Sequence, residues 1–567
     1  MRILLLLGAT IGLPYFLLST TTPLVQAWYW RRFGNGVPYR LFALSNVASL
    51  AALLGFPLAL EPAFDLKALA WGWSFLYAAF TLLCAGLALA SMRGEPIRAA
   101  SPSAAPPALG VQLGWLGLSA MGSVMLLAVT NHITQNIASV PLLWLGPLAL
   151  YLVSFILAFD HPRWYLRPLF AVLMALFVPA MAYLVPSLDL ALAVPAYLAG
   201  LFVACMFCHG ELARAKPDPA HLTRFYLMIS LGGALGAVLV AIVAPLTLPG
   251  YYELGIALVL LAMLFLSQLR GLTLWAGGVV AAVTAVFAVS GAYEYSVGVR
   301  VMERDFYGVV RTADHPDPVP YRAMYHGPIM HGGQLLGDAW RGTPADYFSP
   351  GSGYGRVFTS LREMRPHRRL SVGVIGLGAG VLAAWMKPGD RLVFYEISPR
   401  VVDIAHREFT FLADTAARTE IVIGDGRLSL EREPPRGYDV LGIDAFSGDS
   451  VPMHLVTREA MALYVKHLKP DGVIVFQATN RYIDLLPVVK RLASEFGFEA
   501  VNVSDSPEEG EGAEYWYSAT DQVIVTRNRR LLAWPRLAEA AEEIEDRPEL
   551  PTFTDAHHNL LRILKRE

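Results

Sequence analysis

Two periodicities divide this chain. Up to about residue 292 the apolar residues come in nearly unbroken runs of some twenty, the length a helix needs to cross ~30 Å of bilayer hydrocarbon. About ten such runs stand near 3–27, 41–60, 68–92, 111–130, 139–159, 166–185, 188–208, 225–247, 252–269 and 272–292. Beyond them, short apolar stretches alternate with Gly/Pro turns and amphipathic segments. Strands are predicted near 371–376, 391–397, 420–424, 438–443 and 471–477, with helices beginning near Gly378, Pro399 and Thr457. A late antiparallel pair is expected at 498–503 and 514–526. Alternation at this spacing builds a doubly wound, mostly parallel α/β sheet whose ligand lies beyond the carboxyl ends of its strands. The pattern therefore predicts a polytopic α-helical membrane domain over 1–292, followed by a soluble α/β domain.

Within the apolar half, Gly232 and Gly236 form a small-xxx-small pair, expected at a close helix–helix contact. The first run is too long and too Pro-punctuated for a cleaved signal peptide. Ser101–Pro107 is a flexible linker. Lys and Arg concentrate in the loops after runs one, three, five, seven and nine (Arg31, Arg93, Arg163, Arg214 and Arg270 among them). By the positive-inside rule these loops are cytoplasmic. Ten crossings would leave the soluble half outside, against the chemistry below. A cytoplasmic catalytic half at a bacterial-type inner membrane is the expectation, with one run either miscounted or re-entrant; the Gly/Ala-rich last run is the suspect. Two polar clusters, Asn131, His132, Thr134, Gln135 and Asn136, and His209, Glu211, Arg224 and Tyr226, are either interfacial loops or a polar cavity.

Composition agrees with this division. Of 567 residues only 16% are charged and 55% are hydrophobic, with a mean hydropathy of +0.44; soluble chains carry roughly 25% charged residues. The net charge of −2 comes without a basic tract, which excludes the electrostatic footprint of nucleic-acid binding. Cys84, Cys205 and Cys208 all lie in apolar runs, so the soluble half has no disulfide framework. Cys205-Met206-Phe207-Cys208-His209 matches a haem-attachment pattern. It closes a hydrophobic span with no second haem ligand evident, and helix packing is its expected role.

The chemistry concentrates after Val372–Ile375. This apolar strand stops at Gly376-Leu377-Gly378-Ala379-Gly380, a turn that lets backbone approach a nucleoside closely. Glu396 ends the second strand, Asp425 the third and Asp444 the fourth. A carboxylate at a strand tip can accept hydrogen bonds from both ribose hydroxyls. Three at successive tips exceed what a fold needs. They point to a nucleoside site.

Gly376–Gly380, Glu396-Ile397-Ser398-Pro399, Gly424-Asp425-Gly426-Arg427 and Asp439–Phe446 resemble the class I S-adenosylmethionine-dependent fold. More specifically they resemble the polyamine aminopropyltransferase (spermidine synthase) family, in the branch fused to a multi-span membrane domain. Ser447–Leu455, Thr457-Arg458-Glu459 and Leu468–Gly472 continue the likeness. Asp305-Phe306-Tyr307-Gly308 and His326-Gly327…His331-Gly332-Gly333-Gln334 are similar to the small β-domain that precedes the catalytic core. The resemblance implies a β-domain over 296–350, a class I methyltransferase-like α/β domain over 351–530 and a helical tail over 531–567.

It also implies roles. Gly376, Gly378, Gly380 and Gly426 would make room for S-adenosylmethionine or its decarboxylated form, a co-substrate rather than a tightly bound cofactor. Glu396 would hold the ribose, Asp425 the adenine amino group, and Gln334 would help to position the donor. Asp444 would be base or amine anchor, with Asp449 helping to hold a cationic amine or polyamine and Tyr347 beside it; a homodimer is implied as well. Two departures bear on the amine side: Ala379 and Ser447 stand where the family carries Asp. No metal is required, because a sulfonium is already an activated leaving group. His326 and His331 are either metal ligands or hairpin tips, the hairpin being favoured. Asp555-Ala556-His557-His558 either reaches the site or caps a surface helix, and Glu539–Asp546 is expected as a solvated helix face.

Three functions follow. The first is aminopropyl-type transfer to an amine with release of methylthioadenosine. The second is methyl transfer to a membrane-delivered substrate, which would not need the β-domain. The third is nucleoside binding without turnover in a transporter or sensor.

Overall fold

The computed structural model describes residues 2–33, 40–92, 106–137, 142–187, 189–218, 221–316, 319–445, 452–507 and 515–565. The chain forms two compact units, one drawn from the first 295 residues and one consisting chiefly of Ser296–Glu567.

Among the described residues of the first unit, eight helices are long and apolar enough to cross a membrane, from Leu5–Gln26 to Leu272–Ser296. Two further apolar helices, Leu145–Asp160 and Glu253–Ser267, are shorter. At 16 and 15 residues they rise only about 24 and 22 Å. The weak runs are therefore the fifth and ninth, and the suspicion attached to the last is misplaced: it is a continuous helix of 25 residues. The ninth is cut short because Pro249 and Gly250 precede it, so its helix begins only at Glu253. Large apolar side chains such as Trp71, Phe75, Leu82 and Trp275 face outward, an exterior suited to lipid rather than water.

Gly232 and Gly236 make the expected close contact. A Cβ on either would lie 2.4 Å from a carbonyl oxygen of Leu116 or Ala120 on the helix Leu109–His132. Cys205 and Cys208 are buried along the helix Leu190–Arg214, and His209 accepts or donates a 2.8 Å bond with Ser154. Glu211 is buried against Arg167 at 2.9 Å and accepts from the Tyr165 hydroxyl. These members of the second cluster are side chains packed between helices, Glu211 paired locally and His209 bonded through Nδ1 while its Nε2 has no hydrogen-bond partner among the described residues. The Asn136 side chain and residues 101–105 of the linker lie outside the described residues.

The second unit opens with a four-stranded antiparallel sheet: β1 (Val299–Asp305), β2 (Gly308–His315), β3 (Tyr321–His326) and β4 (Ile329–Leu335), in that order. β3 and β4 form a hairpin in which His326 ends β3 and His331 is the third residue of β4; the hairpin is there, but His331 is not at its tip. An eight-stranded sheet follows, made of β5 (Ser371–Ile375), β6 (Arg391–Glu396), β7 (Arg418–Ile423), β8 (Tyr438–Ile443), β9 (Leu468–Gln477), β10 (Glu499–Asp505), β11 (Thr520–Thr526) and β12 (Ala541–Glu543). Its order is β12-β10-β11-β9-β8-β5-β6-β7, parallel from β7 to β9 and antiparallel beyond. Reversal of order on either side of β5 makes a topological switch point at its carboxyl end, where α/β ligands bind.

Both faces of this sheet are buried, one under Tyr354, Phe358, Leu382 and Ile404, the other under Leu430, Tyr464, Leu492 and Phe553. Two buried carboxylates lock the end remote from the switch point. Asp390 pairs with Arg362 and accepts from the Leu370 and Lys387 N–H groups. Asp439 takes Arg368, Lys469 and the Ser371 N–H.

Two local expectations fail. The glycine turn opens no α-helix, only the 3₁₀ turn Val381–Trp385, because Gly378 and Gly380 both hold positive φ and Pro388-Gly389 closes the segment. The tail is not helical either. After two four-residue helices, part of Glu539–Asp546 becomes β12, an antiparallel edge strand on β10. Its glutamates suit an edge, where charge discourages further strand pairing.

Candidate active site

The carboxyl ends of β5, β6, β7 and β8 meet the small sheet around one cleft of about 220 Å³. Gly376, Gly378, Glu396, Asp425, Gly426, Asp444 and Tyr347 all line it. Among the described lining residues there is no Lys or Arg. The three strand-tip acids are thus brought together.

Each acid is held by its own strand end. Glu396 is buried; its two oxygens accept from the Leu377 N–H at 3.0 Å and the Ser398 N–H at 2.8 Å, tying the glycine turn to the next crossover. Burial raises its pKa, opposed by those N–H groups. Each oxygen keeps a lone pair for a ligand. Asp425 caps the helix Gly426–Arg432 by accepting from the Leu428 N–H at 2.9 Å, and its second oxygen meets His454 Nε2 at 3.1 Å. Asp444 is bonded to the Tyr347 hydroxyl. Burial pushes it well above the carboxylate range, opposed by that hydroxyl and reinforced by the charges of Asp346 and Glu396.

The glycines act by close approach. A Cβ at Gly376 (φ +104°) would lie 2.0 Å from the Asp444 carbonyl oxygen, and one at Gly378 (φ +53°) 2.5 Å from that of His331. The turn is wedged between the end of β8 and β4, so both positions demand glycine. Gly380 starts the 3₁₀ turn and is not part of the cleft wall.

Gln334 is also outside the cleft, a correction to its expected role. Its amide donates to the Arg341 carbonyl and the Thr410 hydroxyl, both at 2.8 Å, and its oxygen accepts from the Thr410 N–H. A buried amide so engaged braces the small sheet and has little left for a donor. Asp449 and Ser447 lie outside the described residues. Asp555 caps no helix: it accepts from both Arg427 Nη atoms and the Thr457 hydroxyl, beside the cleft mouth.

The sequence left several wall residues without a role. His454 faces Asp425. Asp305, ending β1, accepts from the Ser398 hydroxyl, and Ser398 caps the helix Pro399–Glu408; the Ser-Pro pair at that helix start was the readable signal. His326 and His331 are half-buried in the wall. Desolvation lowers both, His331 to about 3, so neither carries positive charge. Among the described residues no group of three His, Cys, Asp or Glu is placed to hold a metal.

A second chamber of about 320 Å³ adjoins the first and shares His331, Tyr347 and Asp444 with it. Asp346 lines this chamber only.

No family model matches the chain. A polyamine aminopropyltransferase from Vibrio vulnificus is 33% identical over 117 residues, 20% of this chain and 38% of the relative. An eEF1A lysine and N-terminal methyltransferase from Xenopus laevis is 34% identical over 132 residues, 21% of this chain and 19% of that protein. The chain thus spans well under half of these curated relatives. A probable spermidine synthase structure from Corynebacterium glutamicum aligns with a TM-score of 0.30 at 18% identity, covering 40% of this chain and 79% of the other. By its motifs and over the stretch matched to the curated relative, the α/β half of the chain resembles the spermidine synthase-like proteins of the class I S-adenosylmethionine-dependent fold.

Proposed function

We propose that this chain is a membrane-bound transferase that moves an aminopropyl-type group from decarboxylated S-adenosylmethionine, or S-adenosylmethionine itself, to an amine. The observation that carries this reading is the convergence of Glu396, Asp425 and Asp444 on one cleft without a described Lys or Arg in its wall. Such a wall attracts a cation and would repel a phosphate ester.

In this reading Glu396 accepts from the ribose hydroxyls and Asp425 from the adenine amino group, while the turn at Gly376 admits the nucleoside. The sulfonium then sits near Asp444. The amine nitrogen attacks the carbon next to sulfur; the new C–N bond forms as the C–S bond breaks, and the bonding pair leaves on sulfur as neutral methylthioadenosine. The acceptor enters as an ammonium and gives one proton to Asp444 before the attack, which frees the nitrogen lone pair; the product leaves as a secondary ammonium. A desolvated, partly buried carboxylate of raised pKa is a strong acceptor once nearby positive charge holds it ionised. Catalysis is chiefly in-line placement. The apolar helices hold the enzyme in a bilayer. If one of the two short helices, and not the other, stops before the far face, the crossings number nine and the catalytic half lies in the cytoplasm.

The similarity to a methyltransferase favours one rival, methyl transfer within the same cleft. The products separate them. The full chain in lipid nanodiscs, given each labelled donor and an amine mixture, releases methylthioadenosine if the proposal is right. S-adenosylhomocysteine instead would establish methyl transfer, and neither product would leave a binding protein.

A further inference from the structure

Asp425 does not stand alone at the end of β7. One of its oxygens accepts from the Leu428 N–H at 2.9 Å, and the other meets Nε2 of His454 at 3.1 Å. A carboxylate has no hydrogen to give, so the imidazole supplies it and His454 donates through Nε2–H. The His454 side chain is 49% exposed, and a bond so open to water adds little to stability. Its effect is geometric. A carboxylate held at one oxygen can turn about that bond. Held at both, it has a fixed plane, and its remaining lone pairs have fixed directions.

His454 is held in its turn. Its carbonyl accepts from Arg427 Nη1 at 2.6 Å. The same guanidinium forks onto both oxygens of Asp555, and the Thr457 hydroxyl donates to Asp555 at 2.9 Å. Asp555 lies 128 residues beyond Arg427, and its own N–H is fixed by the Glu459 carboxylate at 3.0 Å. A connected line thus runs from the C-terminal segment through Asp555, Arg427 and His454 to the acid at the tip of β7. A further cavity of about 460 Å³ lies along it. Among the described lining residues this cavity shares only Asp425 and His454 with the cleft. The pair therefore stands in the wall of both spaces, where Asp425 has no packed neighbour on the far side to hold its plane in place of His454.

We propose that His454 is a positioning residue for the donor's base, and that Asp555 and Arg427 make the C-terminal segment part of the donor site. With its plane fixed, Asp425 presents a lone pair to the exocyclic amino group of adenine. A base with a keto oxygen at that place sets two acceptors against each other and is rejected. The inference rests on the nucleoside reading of Asp425 and deepens it. Selection of an amino over a keto base belongs to four side chains from three parts of the chain, not to Asp425 alone.

The test is binding without turnover, on the full chain in nanodiscs. Methylthioadenosine and methylthioinosine differ at that one group, and the affinity of each is measured by equilibrium dialysis. The wild type should hold the amino ligand at least about tenfold more tightly. His454→Ala should weaken methylthioadenosine about fivefold and leave methylthioinosine within about twofold, which narrows the ratio. His454→Gln, whose amide nitrogen reaches the place of Nε2, should recover it. Asp555→Ala should narrow the ratio by itself and add nothing in the His454→Ala background, as groups acting in one line do. General loss of fold weakens both ligands alike, so the ratio decides. A ratio unmoved by His454→Ala, or not recovered by His454→Gln, overturns the inference and leaves Asp425 as the base-reading acid. Full additivity of Asp555→Ala and His454→Ala removes the C-terminal segment from the site. Equal binding of the two ligands by the wild type, or binding of neither, refutes the nucleoside reading of Asp425 instead. Failure of amine transfer touches none of these arms.

Discussion

Replacing Asp346 by Asn should make the α/β unit more stable, and the gain should depend on pH in one direction. Burial pushes this carboxyl from its ordinary 3.8 up to about 7, against the pull of Ser518 and two backbone N–H groups. The sign follows from linkage. Below about pH 4 folded and unfolded chains are both protonated, and the group costs nothing. Between 4 and 7 the unfolded chain gives up the proton while the folded one keeps it, so stability drains away as pH rises through the folded value. Above 7 the loss is complete and constant. At about 1.4 kcal/mol per pH unit the full loss is at most about 4 kcal/mol. In a unit of this size that corresponds to about 10 °C in melting temperature. Asn, uncharged throughout and at home in the left-handed conformation of this residue (φ +58°), escapes the loss. Melts of the two proteins, read from tryptophan fluorescence at several values between pH 4.5 and 8, should therefore run together at the acid end and separate progressively, with the variant higher. A difference that does not grow with pH, or that grows the other way, would refute a buried carboxyl held neutral here.

Two further outcomes are expected. Gly376→Ala places a methyl group 2.0 Å from the Asp444 carbonyl at a backbone angle of +104°, so labelled S-adenosylmethionine should no longer bind in equilibrium dialysis; retained affinity would mean that the turn does not shape the donor site. Arg368→Ala removes the guanidinium from buried Asp439 and should cost about 3 kcal/mol of stability, seen as a lower denaturation midpoint, while donor affinity stays within about twofold because the pair sits at the opposite end of the strands.

What the sequence made legible was local. Strand positions, the switch-point turn and the three acids at strand tips follow from alternation and from where each apolar run stops. The small-xxx-small pair Gly232 and Gly236 needed only helical spacing. What it hid depends on partners far along the chain. Gln334 looked like a donor ligand because its motif lies near the site, but its amide is consumed by Thr410, 76 residues away. Asp555 is claimed by Arg427 across 128 residues. The charged stretch after Glu539 has helical composition, yet an unpaired edge at β10 recruits it as a strand. Asp346 left no pattern, since its importance lies in a backbone angle and in the lack of a well-formed hydrogen bond to its oxygens among the described residues, neither of which is written in residue type.

The electrostatics of the site argue for a doubly cationic occupant. Glu396, Asp444 and Asp346 are each driven toward their neutral forms, first by burial and then, for Asp444, by the other two. Two neighbouring imidazoles that could have offset this charge are held neutral by the same desolvation. A site built for an anion would place donors or cations here, and one built for a neutral molecule would not crowd acids where water is scarce. In the proposed reading, a sulfonium and an ammonium near Asp444 reverse the balance: each added positive charge lowers the cost of ionising the acids around it, and the ionised acids in turn hold both reactants. Donor and acceptor should therefore bind cooperatively through the shared Asp444, with the proton acceptor becoming fully charged only when both are in place.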